Sequence, residues 1–242
     1  MRRAVILAGG EGTRLRPYTT VLPKPLMPIG DRPVLDIVVR QLKAHGFDRI
    51  TIATGYLAEL IEAFFGDGSG YGIPIDYHRE REPLGTVGAL ALIEGLAGED
   101  VLVMNGDVLT DIDYAALLDR HRSSDAAATI ATKERQVQVS LGVLRFGEDG
   151  DPTRLTGYDE KPTIDYTASM GVYCFAPRAL SHIAPGERLD FPELVLRLIA
   201  AEEVVRAWPS EDYWLDIGRH DDYEQAQREF ESVRERLIPP EA

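Results

Sequence analysis

A three-layer α/β/α fold around a largely parallel sheet is what this sequence predicts, with a small antiparallel extension in its second half. Two observations carry that expectation. Through the first 132 residues, short apolar runs alternate with amphipathic stretches. Repeats of that kind require right-handed crossovers and a parallel sheet covered on both faces. From Gln136 the alternation stops, and apolar runs follow one another across turns with no long helix between them.

The elements follow in order. AVILA (4–8) is a strand that stops at Gly9-Gly10, and PVLDIVVRQLKAHG (33–46) is a helix with proline at its start and glycine at its end. RITIAT (49–54) is the next strand, LAELIEAFFG (57–66) the next helix and IPIDYH (73–78) a short strand. Residues 86–96 suggest a helix of small side chains. DVLVMNGD (100–107) is a buried strand running into a polar end, DYAALLDRHR (113–122) a helix, and AATIAT (127–132) a strand that closes this half. The second half offers three strands, VSLGVLRF (139–146), TRLTGYDEKP (153–162) and YTASMGVYCF (166–175), with turns such as EDGDP (148–152) between them. Helices are expected at 190–202 and 220–237. No internal repeat or low-complexity linker divides the chain, so residues 1–242 read as one domain.

The composition narrows the function. The 242 residues carry a formal charge of −14, with 44% hydrophobic and 27% charged residues. That balance opposes non-specific binding of nucleic acid or an anionic membrane, both of which need a basic face. It leaves small anions open. The lone Cys174, in GVYCFAP, excludes an internal disulfide and a cysteine-based zinc site and reads as core. The apolar stretch at 4–8 is shorter than the roughly 7–15 residues of a signal-peptide core. No segment reaches the roughly 18 apolar residues of a membrane span. A cytoplasmic, soluble protein is expected.

The segment LAGGEGTRLRPYTTVLPKPLMP (7–28) is the most informative. It is not a P-loop, because no glycine precedes Lys-Ser or Lys-Thr. Nor is it a dinucleotide fingerprint, because Gly10-x-Gly12 runs into Thr13, Arg14 and Leu15, and Pro17, Pro23, Pro25 and Pro28 keep the next stretch irregular. What remains is a set of backbone N–H groups at the end of the first strand, where glycines let an anion approach closely. Within residues 1–32, six basic side chains face two acidic ones, a local +4 against −18 over the remainder. A solvated turn is the plain alternative for the glycines alone.

The longer pattern is more specific. GGEGTRLRP (9–17), PKPLMP (23–28), EPLGT (82–86), NGD (105–107), DEKP (159–162) and WLDIG (214–218) stand in order along the chain. In these the sequence resembles the sugar-1-phosphate nucleotidylyltransferases, also called nucleotide-sugar pyrophosphorylases. It is most similar to their short guanylyltransferase-like members for mannose or heptose 1-phosphates, since Pro25 stands where thymidylyl and uridylyl types usually have glutamine. The resemblance implies a Rossmann-like mixed sheet of the nucleotide-diphospho-sugar transferase type. It implies a nucleotide half at about 1–135, a sugar-phosphate half at about 136–218 and a C-terminal helix within 219–242. The implied reaction joins a nucleoside triphosphate, GTP for preference, to a sugar 1-phosphate, releasing pyrophosphate with the help of Mg²⁺.

It also implies roles. Arg14 and Lys24 match the catalytic cations that hold the triphosphate and neutralise the reacting phosphates. Ala8, Gly9, Gly10, Gly12 and Thr13 match the nucleotide loop, with Gly85 and Thr86 in a second one. Asp107, at the end of a buried strand, and Asp216 match the metal ligands, and hard carboxylate oxygens suit Mg²⁺. Asn105, Gly142, Glu160 and Lys161 match the sugar-phosphate group. A carboxylate can accept from both N1–H and the N2 amino group of guanine, so Glu80 or Glu82 is a candidate base reader. The five histidines read as surface or helix-end residues, and Trp208 and Trp214 as core. A non-catalytic regulatory homologue, a different nucleotide and a cyclitol or polyol phosphate substrate stay open as alternatives, as does a homo-oligomer.

Overall fold

The computed structural model describes residues 1–80, 82–147, 151 and 153–239. In chain order the elements are β1 (Arg3–Ala8), β2 (Pro28–Ile29), β3 (Arg32–Pro33), α1 (Val34–Ala44), β4 (Arg49–Thr54), α2 (Ala58–Phe65) and β5 (Ile75–Arg79). Then come β6 (Val101–Asn105), β7 (Val108–Thr110), α3 (Tyr114–Arg122), β8 (Ala128–Gln138), β9 (Val143–Phe146), β10 (Leu155–Asp159) and β11 (Thr163–Phe175). The chain ends with α4 (Pro177–Leu180), α5 (Phe191–Ala200), β12 (Val205–Pro209), β13 (Trp214–Asp216) and α6 (His220–Leu237).

Seven strands form the central sheet in the order β12-β8-β11-β6-β1-β4-β5. All neighbours run parallel except β11, which is antiparallel to both β6 and β8. Side chains alternate across β1 as the period of two requires. Ala4, Ile6 and Ala8 pack with α1, α2 and α3 on one face. Val5 packs with residues 87–96, α4 and α5 on the other. The predicted mixed sheet with helical layers is therefore present, and the antiparallel extension is the β9–β10 hairpin plus the long outer parts of β8 and β11. A third cluster joins α6, through Ala226, Phe230, Val233 and Leu237, to Ile29, Leu109 and Leu215. The late helix covers its own domain.

Several expectations are corrected. Residues 86–96 form no α-helix but short 3-10 turns at Gly88–Leu92 and Leu96–Gly98. Glycines at 85, 88 and 95 weaken helix formation, and the segment instead donates from Val87 N to Leu189 O (3.1 Å). The predicted strand 139–146 survives only as β9, because β8 runs on to Gln138. Strand 153–162 shortens to β10. The EDGDP turn lies outside the described residues except for Asp151. His121 is buried, sharing a hydrogen bond with Thr129 Oγ1 (2.8 Å), and that burial lowers its pKa. Cys174 is core, and burial pushes its thiol pKa up. Among the described residues no helix is long and apolar enough to cross a membrane.

Candidate active site

Parallel register brings three strand ends to one edge. Ala8 of β1 pairs with Thr54 of β4, and Leu7 with Asn105 of β6. The chain leaves β1 as the glycine loop, and Gly9 O accepts from Tyr56 N (3.2 Å) while Leu7 O accepts from Gly106 N (2.9 Å). Gly10, Thr13 and Arg14 are exposed on this edge. Glu80 leaves β5 beside Gly9; a Cβ there would stand 2.9 Å from Glu80 Oε1, so glycine is what lets the carboxylate approach. Glu80 Oε2 accepts from Leu84 N (3.0 Å), tying down the loop that carries Gly85 and Thr86. Gly85 has φ +78, a left-handed backbone that favours glycine. The glycine loop after β1 and the segment carrying Glu80 and Leu84 are thus neighbours. Glu82 is exposed and joins no such network among the described residues.

Lys24 lies in a single 3-10 turn, Lys24–Leu26, behind Gly12, whose carbonyl accepts from Thr19 Oγ1 (2.8 Å). The residue is 9% exposed, and its side chain reaches both carboxylates of the site. Nζ donates to Asp107 Oδ2, and it stands 3.9 Å from Asp216 Oδ1. The two aspartates meet because β13 pairs with β7, Asp216 opposite Val108, and because Ile217 N donates to Asp107 O (3.0 Å). The surrounding protein, and next the charge of Asp107, raise the pKa of Asp216, against the pull of Lys24 and Arg14. Crowded carboxylates around one ammonium make a site that favours positive charge. Among the described residues no three His, Cys, Asp or Glu gather as a closed metal cage.

A cavity of about 690 Å³ opens from this cluster, with Asn105, Asp216, Thr86 and Trp214 on its wall. Trp214 is therefore only partly core: its Nε1 donates to Met170 O (2.8 Å) and its ring faces the cavity. Trp208 is partly buried against the core. Arg135, which no motif singles out, lies over the Trp214 ring with its guanidinium 5.4 Å from the centroid. Among the described residues it has no carboxylate partner. Only the pairing of the β8–β11 ribbon brings it there, so no local sequence signal marks it.

Gly142 and Glu160 come together elsewhere, around Tyr158 of the β9–β10 hairpin, with Lys161 next in the chain. Tyr158 Oη donates to Glu160 Oε2 (3.1 Å) and occupies the space that a side chain at Gly142 would need. Lys161 is exposed and has φ +47, a left-handed conformation that costs a lysine conformational energy. Of the four residues grouped for the sugar phosphate, only Asn105 lines the cavity among the described residues.

A polar cluster outside the carboxyl ends of the strands lies where open α/β sheets bind their ligands. The chain belongs to the nucleotidyl transferase family, whose model matches residues 3–233. It is 34% identical over 245 residues to a UTP–glucose-1-phosphate uridylyltransferase of Synechocystis, covering 93% of this chain and 62% of that protein. It is 33% identical over 230 residues to the D-glycero-alpha-D-manno-heptose 1-phosphate guanylyltransferase of Aneurinibacillus thermoaerophilus, covering 94% and 98%. The crystal structure of HddC from Yersinia pseudotuberculosis complexed with GMP-PN superposes with a TM-score of 0.71 at 28% identity, covering 95% and 100%.

Proposed function

We propose that the protein joins a nucleoside triphosphate to a sugar 1-phosphate, yielding a nucleoside diphosphate sugar and pyrophosphate. GTP is the favoured nucleotide and a mannose- or heptose-like phosphate the favoured acceptor. The observation that carries the reading is the buried Lys24 ammonium between Asp107 and Asp216, beside a glycine loop at the strand ends.

The chemistry needs little covalent help. A phosphate with a second pKa near ~6 is mostly dianionic at pH 7, so no general base is required. An oxygen of the sugar phosphate attacks the α-phosphorus in line, the bond to the β-phosphate bridge breaks, and its electron pair leaves with pyrophosphate. The obstacle is bringing anions together, so positioning and positive charge carry the rate. Arg14, exposed at the loop, grips the triphosphate with a planar fork that suits phosphate oxygens. Lys24 neutralises the reacting phosphates, and residues 8–13 offer backbone N–H groups. Asp107 and Asp216 would hold Mg²⁺, a fit supported by their hard oxygens and by the cation already seated between them. When bound, Mg²⁺ neutralises non-bridging phosphate oxygens and helps orient the displacement. Lys161 and Arg135 supply positive charge for the sugar's phosphate, and Glu160 accepts from its hydroxyls. Glu80 is the base reader, its Oε1 lying beside the glycine loop.

The test is a matrix of four nucleoside triphosphates against several sugar 1-phosphates with Mg²⁺, read as pyrophosphate release. GTP should give the highest kcat/KM. Release favouring UTP would overturn the base preference, and no release from any pair despite nucleotide binding would overturn the enzymatic reading.

A further inference from the structure

The apolar residues of α6, Ala226, Phe230, Val233 and Leu237, already dock the helix on Ile29, Leu109 and Leu215. A second row, His220, Tyr223 and Gln227, recurs at helical spacing and is directed at the backbone of the segment that carries Lys24. His220 Nε2 shares a hydrogen bond with Arg16 O (3.0 Å), ahead of the lysine. Beyond it, Tyr223 Oη and Gln227 Nε2 both donate to Pro28 O (2.8 and 2.7 Å). Gln227 Nε2 also donates to Tyr223 Oη (2.9 Å), and Gln227 Oε1 accepts from Gly30 N (3.0 Å). Gly30, at φ +59, permits the approach, since a Cβ there would stand 2.3 Å from the Phe230 ring. Exposed bonds of this kind add little to a helix that its apolar face already holds. What they fix is where Pro28 stands.

Pro28 lies just past the turn of Lys24, which Met27 N closes by donating to Lys24 O (3.0 Å). At its other end α6 begins shortly after Asp216, whose strand is bonded to Asp107 O through Ile217 N (3.0 Å). The helix is therefore joined to Asp216 through the chain and to the Lys24 segment through side chains. On the reading that Lys24 neutralises the reacting phosphates, its ammonium must stay in register with both aspartates, because a displacement of about 1 Å costs a catalytic group about 10²-fold in rate. We propose that Tyr223 and Gln227 are positioning residues for Lys24, acting through Pro28 without touching substrate.

The experiment measures kcat and both KM values, for the most active pair of nucleoside triphosphate and sugar 1-phosphate, in Tyr223→Phe, Gln227→Ala and the double variant. Val233→Ala is the control, loosening the same helix without touching these bonds. Each single variant leaves Pro28 O one donor, so kcat should fall only about threefold. The double variant should lose about thirtyfold or more, beyond the product of the single effects, with both KM values held within about twofold. Val233→Ala should lower the unfolding midpoint and keep kcat. An equal loss of kcat in Val233→Ala would overturn the inference, as would a double variant with unchanged kcat or with its loss confined to KM. A second measurement is independent of turnover. The chain has four lysines, and in ¹³C-lysine-labelled protein the Lys24 signal, identified by its loss in Lys24→Ala, should shift in the double variant while the other three stay. An unmoved Lys24 signal would overturn the inference and leave nucleotidyl transfer intact. Absence of release from every pair in the wild type would overturn the functional reading alone, and the Lys24 signal would still decide whether α6 positions it.

Discussion

The strand-end cluster and the β9–β10 hairpin carry similar charged side chains under opposite constraints. Lys24, Asp107 and Asp216 are held by a proline-flanked turn, a parallel strand end and a two-stranded pairing, with a backbone bond between the aspartate segments. Glu160 and Lys161 sit in the exposed turn where the β9–β10 hairpin ends and β11 begins, with Glu160 accepting from Tyr158 Oη. On the proposed function, the charge acting on the reacting phosphates is anchored to the core, where reorganisation is small. On the same proposal, the charge that recognises the sugar phosphate is placed on a loop, where substitution is tolerated.

The largest expected effect tests the anchored side. Lys24→Ala should lower kcat/KM by about 10³-fold or more, as for other cations at phosphoryl-transfer centres, measured by steady-state pyrophosphate release. An effect below tenfold would break the contrast. On the hairpin, Lys161→Ala should raise KM for the sugar phosphate by about 10–100-fold, the worth of one charge-assisted hydrogen bond. The KM for the nucleotide should stay near its original value, which separates the two regions. Arg135→Ala should raise the same KM by about fivefold, since a stacked cation contributes less than a bonded one. If it raised the nucleotide KM instead, the arginine would belong with the strand-end cluster.

The smallest effect lies outside both regions and separates stability from catalysis. Hydrogen bonds from Arg197 (2.7 and 3.0 Å) hold Glu187 well below the usual carboxylate range, at about 2. A carboxylate with a depressed folded-state pKa stabilises the fold above its unfolded pKa and loses that contribution as pH falls. The advantage of the wild type over Glu187→Gln should therefore be present at pH 5, shrink from about 4.5 downwards, and vanish near pH 2. Denaturation midpoints across that range check it, and activity at pH 7 should not follow.

Legibility followed how local each cause was. α6 is read to its bounds at 220–237 because Ala226, Phe230, Val233 and Leu237 recur at helical spacing. β12 was missed because Val205–Pro209 is a short edge strand, half exposed and without alternation. Residues 86–96 misled because alanine and leucine imitate a helix, while the deciding bonds run to Leu189, about a hundred residues on. The motif residues Lys24, Asp107 and Asp216 were legible one by one, but their meeting depends on β7 pairing with β13. Arg135 was invisible for the same reason: it meets Trp214 only after distant strands have packed.

β11 runs against its six companions and lies between β6 and β8. During synthesis, residues 1–135 therefore leave the ribosome with the growing sheet interrupted. The hydrogen-bonding edge of β6 stays open until residues 172–175 arrive to fill it. A chain cut near residue 135 would keep every motif of the nucleotide loop and still lack a closed sheet beneath it. The late strand β11 is thus what closes the sheet whose edge carries the glycine loop.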